Sequence, residues 1–434
     1  MKPTQYVYAF VFISGIFSCK KEFVNPNAPV FPDVGKTTEG MVQLVVGIKN
    51  RFAVNSIYGN GSVYNAIAAN GFTTNELLLK AGGNQDFSQL VSGGNNISTS
   101  NTVLTELWSN CMLINNYSSF LIDNVQEVVQ DSALRVNIRK YAYLYKALSI
   151  GTLANYWQEL PVTTGDKASF VSRADALKTA ISLLETASKL PDLPPPPDYS
   201  SSFGTEISMK NVLNALMARY HIMLGNFDKA IASANAVNIK TRSVFVYNPQ
   251  NPNPVYRSGF TAVFGFTPNN TSNRLFGLPA SLQPNAADGR IASYLSGNTS
   301  VGFGFAKSDG DPLPIFLPGE MLLIQAEAYV KKGDLANGKK FLDSVLRKKS
   351  SEDVFGIGAN LPAYSGSVDA ASLLQEIYRN RCIELFMSGM KLEDSRRFAR
   401  PGPADPNPER NRNFYPYPFQ ERNGNPNTPA DPDV

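Results

Sequence analysis

The sequence predicts a mainly α fold built from tetratricopeptide-like helix pairs and broken by long irregular loop insertions. Three observations carry that expectation. Apolar residues recur at helical spacing through several long stretches. Two segments, "NVLNALMARYHIMLGNFDKAIASANAV" and "LLIQAEAYVKKGDLANGKKFLDSVL", share a helix–turn–helix core. Tyr220, Gly225, Phe227 and Ala230 of the first copy fall at the same offsets as Ala328, Gly333, Leu335 and Gly338 of the second. In each copy the glycine permits the tight turn and a small residue lets the helices approach. Between the copies, about 241–318, no helix period fits.

The elements follow in order. A first helix is expected from about Thr38 to Phe52, with Met41, Leu44, Val45 and Ile48 on one face. The stretch 83–101 reads as loop. A second helix covers about 102–129, and a third places Ile138, Tyr141, Tyr145, Leu148 and Leu153 along one stripe. The next is the best marked. Ser172 and Asp175 make a capping-box pattern, Leu177, Ile181 and Leu184 follow, and Pro191 stops the helix. Four prolines, Pro194 to Pro197, form a stiff connector. The two repeat copies then stand much further apart than the roughly 34 residues of one tetratricopeptide unit, so large insertions separate the helix pairs. The insertion carries Tyr256, Phe260, Phe264, Phe266, Phe276, Tyr294, Phe303 and Phe305 among Gly, Asn, Ser and Pro. Long loops on a regular scaffold are where function concentrates. A last helix runs from Asp369 to Ser388 and ends at Gly389, and residues beyond Pro401 read as coil.

Composition removes whole classes of chemistry. With 43% apolar and 18% charged residues the chain has a globular balance. Its 40 basic and 36 acidic residues are spread without single-sign runs, which gives no electrostatic case for nucleic acid. A single histidine, His221, leaves no multi-histidine metal site, and its helical context assigns it a structural role. There is no P-loop, no strand followed by GxGxxG and no GxSxG elbow. "SDGDP" at 308–312 is too short for a calcium loop. No catalytic residue, metal or cofactor is expected.

The amino terminus has a different character. The apolar run from Tyr6 to Phe17 is too short to span a bilayer, which takes roughly 20 residues. Lys2, the apolar centre and a small residue before the break fit a secretory signal peptide. "IFSC" then resembles a bacterial lipobox, in which Cys19 is lipidated and becomes the mature terminus. The expected organisation is a signal peptide over 1–18, a lipid-anchored tether over 19–37 and one domain over 38–434. Of the other two cysteines, Cys111 and Cys382, buried thiols are the expected state, although the sequence leaves pairing open.

"RNRCIELFMSGMKLEDSRRFARP" is the densest charged cluster. Arg381 and Glu384 stand three apart on a helix and are expected to pair, as are Glu376 and Arg379. With Asp394, Arg396 and Arg397 they read either as an anion site or, preferably, as a structural charge network.

At this point an ordered set of short motifs resembles the SusD/RagB-type nutrient-binding outer-membrane lipoproteins. "SCKKEFVNPNAP" is similar to the family's lipidated cysteine and Asn-Pro-Asn lead-in. "KYAYLYKALSIGTLANYWQELPVT" is similar to its helix ending in a Tyr-Gly-Asp-X-Pro turn. "LPGEMLLIQAEAYVKKGD" matches an AEA helix through Glu320, Leu322, Leu323, Ala326, Glu327 and Ala328. "RCIELFMSGMKLEDSRRF" matches through Arg381, Glu384, Leu385, Gly389, Asp394, Arg396 and Arg397. "YPYPFQERNGNPN" resembles the closing Pro-rich element. Two departures stand out. Trp157-Gln158-Glu159 replaces Gly-Asp at the turn bordering the ligand pocket, and Lys391 stands where the family carries Arg.

The resemblance implies a SusD-like helical domain, lipid-anchored in the outer membrane at the cell surface. Such a protein captures an oligosaccharide or peptide ligand and delivers it to a SusC-like TonB-dependent barrel transporter. A lid of this kind needs no catalytic group, only aromatic faces and amide side chains. Candidate ligand contacts are Trp157, Tyr58, Asn60, Tyr64, Asp86 and Phe87; Trp108 reads as packing. The alternatives are a periplasmic tetratricopeptide-type protein-interaction scaffold and a helical glycoside hydrolase.

Overall fold

The computed structural model describes residues 34–54 and 60–434. Cys19, the expected leader, most of the expected tether and Tyr58 lie outside the described residues.

Helix α1 (Thr38–Ala53) begins where the Thr37 hydroxyl accepts the Gly40 N–H, and it buries Met41, Val45 and Ile48. α2 (Ser62–Thr73) and α3 (Gln85–Ser92) follow, then the two longest helices, α4 (Thr102–Val128) and α5 (Ser132–Tyr156). Asn101 and Asp131 cap the last two, so each starts at a side chain that satisfies an orphan N–H. α6 (Arg173–Lys189) opens on the expected box, with the Ser172 hydroxyl accepting the Asp175 N–H and donating to its carboxylate. After a short α7 (Ser200–Phe203) come α8 (Met209–Met223) and α9 (Phe227–Asn235). The insertion holds α10 (Gly289–Leu295); α11 (Pro318–Lys331), α12 (Leu335–Arg347), α13 (Ala370–Glu384), α14 (Lys391–Arg397) and α15 (Phe419–Gly424) complete the chain.

Consecutive neighbours pack as a helical array: α4 on α5, α5 on α6, α6 on α8, α8 on α9, α9 on α11, and α11 on α12 and α13. The repeat copies close the same way. Gly225 and Gly333 adopt φ of 73° and 85°, and the residue after each donates its N–H five residues back, Asn226 to the His221 carbonyl and Asp334 to that of Tyr329. This is the cap that a left-handed glycine makes possible. His221 is buried there, and burial lowers its pKa.

Three expectations change. The stretch 83–101 contains α3, whose Phe87 and Leu90 are buried; flanking glycines and Asn had suggested loop. The insertion is not wholly irregular. Its β5 (Phe266–Pro268) pairs antiparallel with β1 (Leu77–Leu79), and β4 (Val244–Phe245) pairs with β6 (Leu313–Pro314). Its aromatic residues Phe260, Phe266, Phe276, Tyr294 and Phe303 are core residues rather than free faces. A third small ribbon joins β2 (Glu159–Pro161) to β3 (Phe170–Ser172).

The charged cluster is buried between α11, α13 and α14. Arg381 forms a two-bond pair with Asp394 at 2.9 Å each, and Arg397 pairs with Glu327 and with Asp394 at 2.7 Å. Arg396 bonds Glu393 and the carbonyls of Asn155 and Asn413. The expected Arg381–Glu384 pair does not form. Glu384 instead accepts from Arg290 at 3.1 Å and Lys348 at 2.5 Å, both brought by distant chain segments. Glu376 and Arg379 do pair, at 2.6 Å. Lys391 donates to the Thr74 and Phe276 carbonyls, a task for a point charge rather than a guanidinium fork. Cys111 and Cys382 are free and buried, and burial pushes both thiols up to about 12.

Candidate functional site

The described surface holds a groove of ≈ 460 Å³ where four elements converge. The start of α2 supplies Asn60, Tyr64 and Asn65, the start of α3 supplies Asn84 and Phe87, the first turns of α4 supply Thr102 and Glu106, and the insertion supplies 257–264.

Local chemistry positions each wall. Asn84 caps α3 by accepting the Phe87 N–H at 3.0 Å. The Asn101 amide donates to the Asp86 carbonyl and to Gln89, and Thr102 Oγ1 donates to the Asp86 carboxylate at 2.6 Å, so α3 is tied to the start of α4. Glu106 Oε2 accepts the Asn60 N–H at 3.0 Å and the Asn65 amide at 3.2 Å, which holds the segment leading into α2. Burial raises the Glu106 pKa, with the Asp86 charge adding to it. The Asn65 Oδ1 is buried without a hydrogen-bond partner among the described residues.

The insertion wall is braced from behind. Asn253 is buried and its amide donates to the Phe305 and Asp311 carbonyls while its oxygen accepts from Val255 and Tyr256. Arg257 makes a two-bond pair with Asp309 at 2.6 Å, so the "SDGDP" turn serves as a brace for the groove wall. Lys80 Nζ donates to the Phe260 and Ala262 carbonyls beneath the loop. At the tip, Val263 is 71% and Phe264 56% exposed. Phe264 therefore presents a free aromatic face at the groove, against the flat backbone of Gly83.

The structure thus brings Asn60, Tyr64 and Phe87 to one groove, with Asp86 bonded to its lining residue Thr102. It also redistributes their roles. Tyr64 is 2% exposed, its hydroxyl donating to the Ser258 carbonyl and its ring stacked on Phe266 at 5.7 Å. Phe87 packs on Phe72 at 4.8 Å. Both form the floor. Trp157 is a correction: it is 0% exposed, its Nε1 donates to the Pro416 carbonyl, and it meets Trp108 edge-on at 5.0 Å. The chain carboxy-terminal to Pro401 folds back over it, so it is a core residue. Asn84, Glu106 and Arg257 carry no sequence signal that marks them. Phe264 is one of eight aromatics of the insertion, and only folding separates it from Phe260, Phe266, Phe276, Tyr294 and Phe303, which are buried.

A second cavity, of ≈ 110 Å³, lies between α2, α5 and the insertion. Its lining is mainly apolar; Arg219 is bonded to Glu320 at 2.6 and 2.8 Å, while the Asn155 Oδ1 is buried without a hydrogen-bond partner among the described residues. Among the described residues, no His, Cys, Asp and Glu cluster could hold a metal ion, and no helix is long and apolar enough to cross a membrane.

No protein-family model matches the sequence, and no curated protein matches it. Solved structures do. A SusD superfamily protein from Bacteroides fragilis superposes with a TM-score of 0.68 at 17% identity, covering 91% of this chain and 99% of that one. A SusD-like carbohydrate-binding protein, also from Bacteroides fragilis, gives 0.66 at 16% identity with the same coverage. A SusD superfamily protein from Bacteroides vulgatus gives 0.63 at 15% identity, covering 91% and 99%. Identities this low speak to architecture, and across nine-tenths of its length the chain has the SusD-superfamily fold.

Proposed function

We propose that this protein is a glycan-binding lipoprotein of the outer membrane, anchored through Cys19, that captures an oligosaccharide in the 60–264 groove. It hands that ligand to a TonB-dependent barrel transporter of the SusC type. The observation that carries the reading is the groove itself. An exposed aromatic face, Phe264, stands beside the partly exposed Asn60 and Asn84 on a SusD-type scaffold. Aromatic faces stack on sugar rings, and amides satisfy hydroxyl groups that act as donor and acceptor at once. A structural neighbour is described as carbohydrate-binding, which favours glycan over peptide as the ligand. Anchor and transporter rest on the motif resemblance, and binding rather than turnover is the activity assigned.

The test is a glycan array followed by calorimetry on purified protein, with Phe264→Ala and Asn84→Ala beside the wild type. Binding that falls at least about fivefold in Phe264→Ala supports the reading, if a stacked sugar ring is held as strongly as a stacked base, at on the order of 1–3 kcal/mol. No glycan bound, binding indifferent to both variants, or turnover of a bound oligosaccharide would each overturn it. Co-purification with a barrel transporter encoded beside it tests the delivery step.

A further inference from the structure

Every positive element around the groove is already engaged by an acceptor of the protein itself. Arg257, the one lining cation among the described residues, is held in a two-bond pair by Asp309. Lys80 is turned beneath the loop and engaged by two carbonyls. The amino-terminal end of α4 faces the groove through Thr102 and Val103, and such an end ordinarily draws anions. Here Asp86 is bonded to the Thr102 hydroxyl, and Glu106 lines the groove one turn further on. The protein's own carboxylates thus fill the role an anionic ligand would take.

Glu106 also differs from Asp309 in having no ionic partner among the described residues. It is half-buried, and it accepts from the Asn60 N–H and the Asn65 amide but pairs with no arginine or lysine among the described residues. A carboxylate accepts up to about four hydrogen bonds, so it keeps capacity for sugar hydroxyl donors. A ligand carboxylate brought beside it would meet a like charge with no countercharge at hand, a repulsion that salt can screen.

We propose that the groove takes uncharged glycans and turns away uronate-type glycans, and that Glu106 sets this choice. The inference rests on the reading of the groove as a glycan site and narrows its ligand class. It also makes Glu106 a specificity residue in addition to a brace for the α2 entry.

The experiment uses an array of oligosaccharides printed in matched pairs, each neutral member beside an acidic one of the same linkage. Oligogalacturonates and their carboxyl-reduced forms are included. Wild type, Glu106→Gln and Phe264→Ala are compared at about 0.15 M NaCl, near physiological, and at about 1 M NaCl, which screens strongly. Acidic members are expected to bind about tenfold or more weakly than their neutral partners, because like charges are brought together. The gap should narrow in Glu106→Gln, which keeps an acceptor oxygen for Asn60 and Asn65. It should also narrow in high salt on the unaltered protein, which guards against a folding defect in the variant. Acidic members that bind as well as neutral ones, with binding lost in Phe264→Ala, would overturn the selectivity and leave the glycan groove standing. A gap untouched by both Glu106→Gln and salt would overturn the assignment to Glu106. No binding of either class, or binding indifferent to Phe264→Ala, would overturn selectivity and groove together.

Discussion

Phe264 lies so close over Gly83 that a Cβ built on the glycine would fall 2.5 Å from the ring edge. The missing side chain is what lets the exposed ring settle at the groove. Gly83→Ala should therefore displace Phe264 while leaving the core intact, because the ring is free to swing outward. Glycan binding should fall severalfold, and the melting temperature should move by no more than a few degrees, as about 1 kcal/mol of strain or less implies. Equal binding by Gly83→Ala and wild type would show that the ring is not held there for the ligand.

Glu76 provides a pH signature. It is buried, and burial raises its pKa to about 7 against the opposing pull of Lys391 and the bond from Asn70. Between its ordinary value and about 7 the folded protein holds a proton that the unfolded chain has released. Stability from this group is thus full below the unfolded value and lost as pH rises through that window, by on the order of 3 kcal/mol. Glu76→Gln should remove that slope and be the more stable form at pH 8. Urea melts from pH 4.5 to 8 check it; parallel curves for variant and wild type would reject the assignment.

The buried Arg381–Asp394 pair should be costly to break from one side. Asp394→Asn leaves Arg381 without its countercharge, while Arg397 keeps Glu327, and should destabilise by about 3–5 kcal/mol. Chemical denaturation measures this. A loss under about 1 kcal/mol would mean the network is open to water.

Cys19→Ala should release the protein from the membrane fraction, since a single lost lipid anchor removes the attachment expected of the tether. Fractionation of cells expressing each form decides it, and full membrane retention of the variant would reject the lipobox.

How much of this was legible beforehand varies with the kind of physics involved. The helix pairs were, because a left-handed glycine and a small contact residue are needs of the local chain, and Gly225 and Gly333 announce them at identical offsets. Ser172 with Asp175 was legible for the same reason. The partners of Glu384 were not. Helical spacing proposes Arg381, whereas Arg290 and Lys348 reach it only after distant segments pack. α3 was hidden because eight residues between glycines show too short a period to read.

By itself the sequence determined the periodic scaffold, the turns and caps, the lipobox-like stretch before Cys19 and the family resemblance, since each depends on residues near one another in the chain. Only the tertiary structure decided which aromatics are free. Trp157 and Phe264 are both large apolar side chains in plausible contexts. The carboxy-terminal segment buries the first, while the brace from Asn253, Arg257 and Asp309 holds the second at the surface. Exposure is a property of what packs across a residue, and for Trp157 that comes from a segment 259 positions away.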